Sequence, residues 1–171
     1  MKFLKLGLLG LAGLLAILQF FRPTKNFSTA PSTSGIASTF AVPSDVQALL
    51  RRSCYDCHSN NTVYPWYAEV EPVGWWLNSH ITHGKRSLDF DEFGAYPPFR
   101  QYHRFGDIIE QVTKDEMPLP SYLIIHRYAK LSPQEKTILV QWSKAMMNSM
   151  KAKYPADSLQ RKPRRMEQRQ Q

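Results

Sequence analysis

Cysteine is almost absent from this chain: two occur in 171 residues, Cys54 and Cys57. A disulfide framework is therefore excluded, since a bridge across two intervening residues would constrain almost no chain. A four-cysteine zinc site is excluded for want of a second pair, and a mixed one would have to recruit His80, His83, His103 or His126. No cysteine follows the apolar N-terminal run, which removes a lipid-modified N-terminus from consideration. No segment alternates apolar and polar residues as a half-buried strand does, and no internal repeat is present, so the pattern predicts an all-α protein. Acidic charge is scarce at one end. Of the net charge of +8, much comes from residues 151–171, with seven basic and two acidic side chains. That stretch has no interleaved aromatics beyond Tyr154 and no recognisable reading module, so nucleic acid is not an expected partner. A solvated tail is the default reading; attraction to anionic head groups or to an acidic redox partner is the functional one.

What is present is concentrated in Cys54-Tyr55-Asp56-Cys57-His58. Two thiols three positions apart can each add to one vinyl group of a haem, and the next residue then lies beneath the iron. C-x-x-C-H reads as a c-type haem attachment site, with Cys54 and Cys57 as the covalent links and His58 as the proximal iron ligand. The same cysteines would serve a dithiol redox pair, which prefers a strand-to-helix context, or half of a zinc site.

The N-terminus supports an exported location. Lys2 and Lys5 precede an uncharged apolar run over residues 6–21, short for a membrane span of about 20 residues unless Phe3 and Leu4 extend it with Lys5 snorkelling. Gln19-Phe20-Phe21-Arg22-Pro23 stands where a cleavable signal would want small residues, which favours an uncleaved anchor over residues 1–23. Lys and Arg on both flanks leave the positive-inside count undecided. Thioether attachment of haem in bacteria takes place outside the cytoplasmic membrane, so the expected place is that membrane, with the domain facing the periplasm. Residues 24–43, rich in Ser, Thr, Pro and Ala, read as a linker.

Residues 44–151 carry the helical patterns. Ser44 offers an N-cap with Gln47 as its capping-box partner, predicting a helix from about residue 45 that runs straight into the cysteines. Pro72 opens a second helix reaching Gly84, with Trp76, His80 and His83 on one face. A third is predicted over residues 100–114 and a short helical turn over 122–128. Ser132-Pro133-Gln134-Glu135 combines N-cap, first-turn proline and capping-box glutamate, and starts a last helix that buries Leu139, Trp142, Ala145 and Met146 and fades near Lys151. Residues 152–171 are the expected basic, disordered tail.

A low-potential or a high-potential haem is decided by the second axial ligand. Met117 is the best-placed candidate, in a Pro-bounded loop 59 residues after His58, with His126 or His80 as alternatives. His126, nine positions after Met117, has a haem propionate as its other role. Tyr64 and Trp76 are candidate haem-pocket residues, although an aromatic core would use them equally well.

The combination of Cys54-Tyr55-Asp56-Cys57-His58-Ser59-Asn60, Tyr64-Pro65-Trp66-Tyr67, Trp75-Trp76-Leu77, Met117-Pro118-Leu119 and Leu131-Ser132 resembles the haem-binding domain family of small exported bacterial proteins, within the cytochrome c-like fold. Phe93 departs from that pattern, where a tryptophan is expected, and this touches packing rather than iron chemistry. The resemblance implies a cytochrome c-like monohaem domain holding one covalent haem c, and suggests single-electron transfer with a redox partner protein. An electron carrier is expected rather than an enzyme. The alternatives are a haem peroxidase-related protein or a haem-sensing envelope protein.

Overall fold

The computed structural model describes residues 1–161 and is helical, with no strand among them. Its α-helices are α1 (Lys2–Leu18), α2 (Ile36–Thr39), α3 (Ser44–Ser53), α4 (Tyr55–His58), α5 (Val73–Ser87), α6 (Pro98–Thr113), α7 (Pro120–Leu123) and α8 (Pro133–Lys153), with short 3-10 turns between several of them. The chain divides into two compact units interleaved in sequence: Met1–Pro31 with Tyr55–Asp89, and Ser32–Cys54 with the chain from Phe90 onward. The expected single unit over residues 44–151 is thus shared out. One crossing falls inside the cysteine motif, where Cys54 leaves helical geometry at φ −129° and ψ −39° and ends α3.

In the first unit, α1 runs for 17 residues with none buried. That is about 26 Å of helix against the ~30 Å of a bilayer's hydrocarbon. Among the described residues no helix is long and apolar enough to cross a membrane, so the expected transmembrane helix is not found. The helix ends early because Gln19 turns its amide to the backbone of Glu71 and Pro23 follows. Beyond it, α4 and the 3-10 turn Trp66–Glu69 pack on α5. Tyr67, Leu77 and Ile81 form the core there, with Cys57, Tyr64 and Ala68 packed against it. Pro72 takes the cap position of α5 as its sequence predicts, and the helix passes through Gly84 to Ser87.

In the second unit, α6 and α8 make the main packing contact. Phe105 lies at its centre, in tilted or edge contact with Phe40, Phe93 and Trp142 at centroid distances of 5.0, 5.0 and 5.5 Å. The Trp142 indole N–H donates to Ala41 O at 3.0 Å, satisfying the one polar atom of a buried ring. The capping box that opens α8 is complete: Ser132 Oγ accepts from Glu135 N at 3.3 Å and Glu135 Oε2 accepts from Ser132 N at 2.8 Å. Its buried positions are Leu139, Trp142, Ser143 and Met150, whereas Ala145 is exposed and Met146 half-buried. At α3 the cap differs from expectation. Pro43 occupies it without a side-chain bond, and Ser44 is already helical.

Residues 24–43 are not a tether. Ile36 is 1 % exposed, its N–H donates to Phe90 O at 2.8 Å, and Gly94 N donates to Ser34 O at 2.7 Å. A Cβ at Gly94 would stand 2.5 Å from Thr39 Oγ1 and 2.9 Å from Ser34 O, so the close approach of these segments needs glycine. Some of the hydroxyls that made the segment look solvated bond to backbone, as Ser38 Oγ does to Gly35 O, and one of its apolar side chains, Ile36, enters the core. At the other end α8 reaches Lys153, and a further 3-10 turn at Ala156–Leu159 buries Leu159. The expected tail from residue 152 is therefore folded as far as Leu159; its last basic residues, Lys162, Arg164, Arg165 and Arg169, lie outside the described residues.

Candidate functional site

The two thiols are not joined in a disulfide, and both are partly buried. Cys54 closes α3, with its N–H donating to Leu50 O at 2.9 Å, and α4 carries Cys57 and His58 in a single helical turn. The His58 ring is oriented from its Nδ1 side, where Nδ1–H donates to the backbone carbonyl of Leu88 at 2.8 Å. A donor at Nδ1 fixes the tautomer with the lone pair on Nε2, the atom a metal would take. Burial holds this imidazole below its ordinary pKa, against the opposing pull of hydrogen bonds to the carbonyls of Leu88 and Gly84, so the ring is neutral near pH 7.

Gly84 explains how α5 comes so near the motif. A Cβ there would lie 2.7 Å from Cys57 O and 3.3 Å from Cys57 Cβ. Burial, with Asp56 adding to it, pushes the Cys57 thiol up to about 11. A thiol so shifted is held as the thiol and is not itself poised as a thiolate nucleophile. The zinc reading loses its geometric basis: among the described residues no three His, Cys, Asp or Glu side chains gather as a metal site.

The motif is braced from an unexpected side. Asn26 Nδ2 donates to Ser59 O and to Thr62 Oγ1, each at 2.9 Å, and its Oδ1 accepts from Lys85 Nζ at 2.6 Å. Thr62 Oγ1 donates in turn to Asp56 O, inside the motif, at 2.7 Å. Tyr64 joins the same arrangement, its hydroxyl accepting from Asn26 N at 2.7 Å. Nothing in the Ser/Thr/Pro-rich context marks Asn26, and the Leu88 carbonyl is a backbone group with no side-chain signature. Sequence reasoning missed both.

Of the other expected residues, Trp76 is 44 % exposed and lies 4.4 Å from the His80 ring, whose Nδ1 donates to Trp76 O. His83 and His103 are exposed. In the second unit Met117 is half-buried. It follows a left-handed Asp115 (φ 59°), and its N–H donates to Gln111 O at 3.2 Å, so the chain wraps over the end of α6 before Pro118. His126 is buried, stacked on Tyr122 at 4.1 Å and 8°, with Nδ1 bonded to Tyr128 Oη at 2.9 Å.

The donor set fits a haem c: one thiol just before a single helical turn and one within it, and a neutral histidine whose far nitrogen is held. An all-helical protein carrying a C-x-x-C-H turn with an oriented histidine is, as a class, one built to hold a haem. A family model described as the haem-binding domain matches residues 13–145, and the chain belongs to that family. The match begins within α1 and takes in residues 24–43, in keeping with their place in the fold. No curated protein and no solved structure matches.

Proposed function

We propose that the protein holds one haem c covalently through Cys54 and Cys57, with His58 as proximal ligand, and carries single electrons as a cytochrome c-like protein in the periplasm. The observation that carries this reading is the bond from His58 Nδ1–H to Leu88 O, which aims a neutral Nε2 lone pair as an axial ligand requires. Haem iron so held supplies one-electron chemistry. The chain's own work is to bind, orient and enclose. Met117 is the proposed distal ligand, with His126 or His80 as alternatives, and Tyr64 and Trp76 belong to the pocket wall. Tyr64, whose hydroxyl accepts from Asn26 N, keeps its own proton to donate. The apolar N-terminal helix attaches the exported protein to the cytoplasmic membrane, and a redox partner protein is its proposed interlocutor.

The test is a visible spectrum of the exported protein, oxidised and reduced, after acid–acetone extraction of haem that is not covalently held. A retained low-spin reduced spectrum is the expected result; a colourless protein would sink the proposal. Met117→Ala is expected to keep its haem, because attachment depends on the cysteines, while its reduction potential falls and its reduced iron begins to bind carbon monoxide. An unchanged spectrum and potential would remove Met117 from the site.

A further inference from the structure

The chain that leaves α1 does not swing free of the first unit. Gln19 exchanges two hydrogen bonds with the backbone of Glu71: Nε2 donates to Glu71 O at 3.1 Å and Oε1 accepts from Glu71 N at 3.0 Å. The Trp75 indole N–H donates to Phe21 O at 2.6 Å. Arg22 Nη1 pairs with Glu69 Oε2 at 2.7 Å, and Lys25 Nζ takes the other oxygen of the same carboxylate. Next comes Asn26, bonded to Ser59 O and to Thr62 Oγ1, which itself donates to Asp56 O within the cysteine motif. From Gln19 to Asp56 this is a continuous collar.

Its polar groups pair with one another, the Arg22, Lys25 and Glu69 side chains staying partly exposed, and beside them stand exposed apolar side chains. Phe20 is 87 %, Phe21 63 %, Val70 44 %, Val73 40 % and Trp75 37 % exposed. This surface continues α1, which buries no residue and is uncharged after Lys5. So much contiguous apolar surface calls for a partner. A helix that docks in a protein groove shows one apolar stripe; α1 is apolar on every side, which suits surroundings of hydrocarbon. The uncharged run of α1 continues through Phe20 and Phe21 and stops at Arg22, so its apolar surface ends at the collar. There, aromatic rings sit beside Arg22 and Lys25, the mixture that favours the head-group layer.

Resting on the membrane attachment read above, we propose that the collar is a bilayer-interface seat: Phe20, Phe21, Val70, Val73 and Trp75 lie in the head-group layer above α1. The unit carrying Cys57 and His58 is then held against the membrane in one orientation, instead of hanging from a tether. Electron exchange is thereby directed toward partners in or on the same membrane.

The experiment uses the full chain, as isolated, with vesicles of phosphatidylethanolamine and phosphatidylglycerol containing a phospholipid that bears a photoactivatable diazirine in its head group. Adducts are mapped by peptide mass spectrometry. Adducts in residues 19–22 and 70–75 are expected. Adducts confined to α1 would overturn the seat while leaving attachment standing; failure to float with the vesicles would overturn both. Haem content is read separately from the visible spectrum, so failure of the haem reading shows independently. Val73→Asp places an acid in the first turn of α5, where a helix tolerates it, and is expected to weaken vesicle partitioning on the order of tenfold; unchanged partitioning overturns the proposal. A flexible Gly-Ser insertion after Phe21 is expected to float like the parent but lose the adducts in residues 70–75, and their retention would overturn the collar's part.

Discussion

Asn26 takes part in five hydrogen bonds: its N–H to Tyr64 Oη, its carbonyl from Thr62 N, and three through the side-chain amide to Ser59, Thr62 and Lys85. Such a residue fixes the loop after the cysteine motif without being part of it. Asn26→Ala leaves the Ser59 carbonyl and the Lys85 ammonium to find new partners. It is expected to lower stability by about 2–3 kcal/mol, seen as a lower urea midpoint at unchanged slope. Gly84 works by what it lacks. Gly84→Ala drives a methyl to 2.7 Å from Cys57 O, where backbone has to yield. Steric insertion of this kind costs about 1–3 kcal/mol. Because the displaced backbone is that of Cys57 and His58, the haem-to-protein ratio of the purified variant is expected to fall as well. A surface-helix glycine would gain from alanine instead, so the sign alone separates the two roles; Gly106, where an added Cβ would meet only Met147 Cε at 3.9 Å, serves as the control.

At the scale of elements, α8 shows when a helix can be read in advance. Ser132, Pro133 and Glu135 encode its start locally, and the structure forms that capping box. Arg52 of α3 adds what no local pattern contains, donating from Nη1 to Glu135 Oε1 at 2.8 Å. This bond, with those from Ser132, holds the Glu135 carboxyl down at about 2, against an ordinary 4.5. A carboxyl whose folded pKa is depressed stabilises the fold above its ordinary value, and that contribution fades as pH falls from about 4.5 toward 2. Glu135→Gln is therefore expected to cost about 1 kcal/mol at pH 7, the modest figure reflecting a pair that stays partly solvated. The gap between variant and parent should narrow in urea titrations repeated at pH 3. The existence of α3, α5 and α6 was also legible, because period and proline punctuation are local signals. The role of residues 24–43 was not. Ser, Thr and Pro have the composition of a linker, and only the tertiary fold reveals that Ile36 is in the core and that Asn26 braces the motif. The spacing of Cys54, Cys57 and His58 is what proposes them as a haem site; the Leu88 carbonyl that orients the ring was not legible, since any residue could have supplied it.

On the scale of the whole molecule, charge is the property that acts at a distance. The net charge of +8 is carried by 22 basic and 14 acidic residues, and residues 162–171 hold four basic and one acidic of these. A field of one sign raises encounter rates with oppositely charged reagents and lowers them with like-charged ones, and salt removes both effects over a Debye length of about 8 Å at physiological ionic strength. If the haem-loaded protein exchanges electrons as proposed, its reoxidation by an anionic iron complex should slow as salt rises. Reoxidation by a cationic cobalt complex should accelerate over the same range. Removing residues 162–171 takes the formal net charge from +8 to +5 and should flatten both salt dependences while leaving the visible spectrum unaltered, because no expected haem ligand lies in that stretch. Stopped-flow traces at several ionic strengths decide the matter. Slopes of the same sign for the two reagents, or slopes untouched by the truncation, would mean that the basic end does not steer redox encounters and that its charge serves some other purpose.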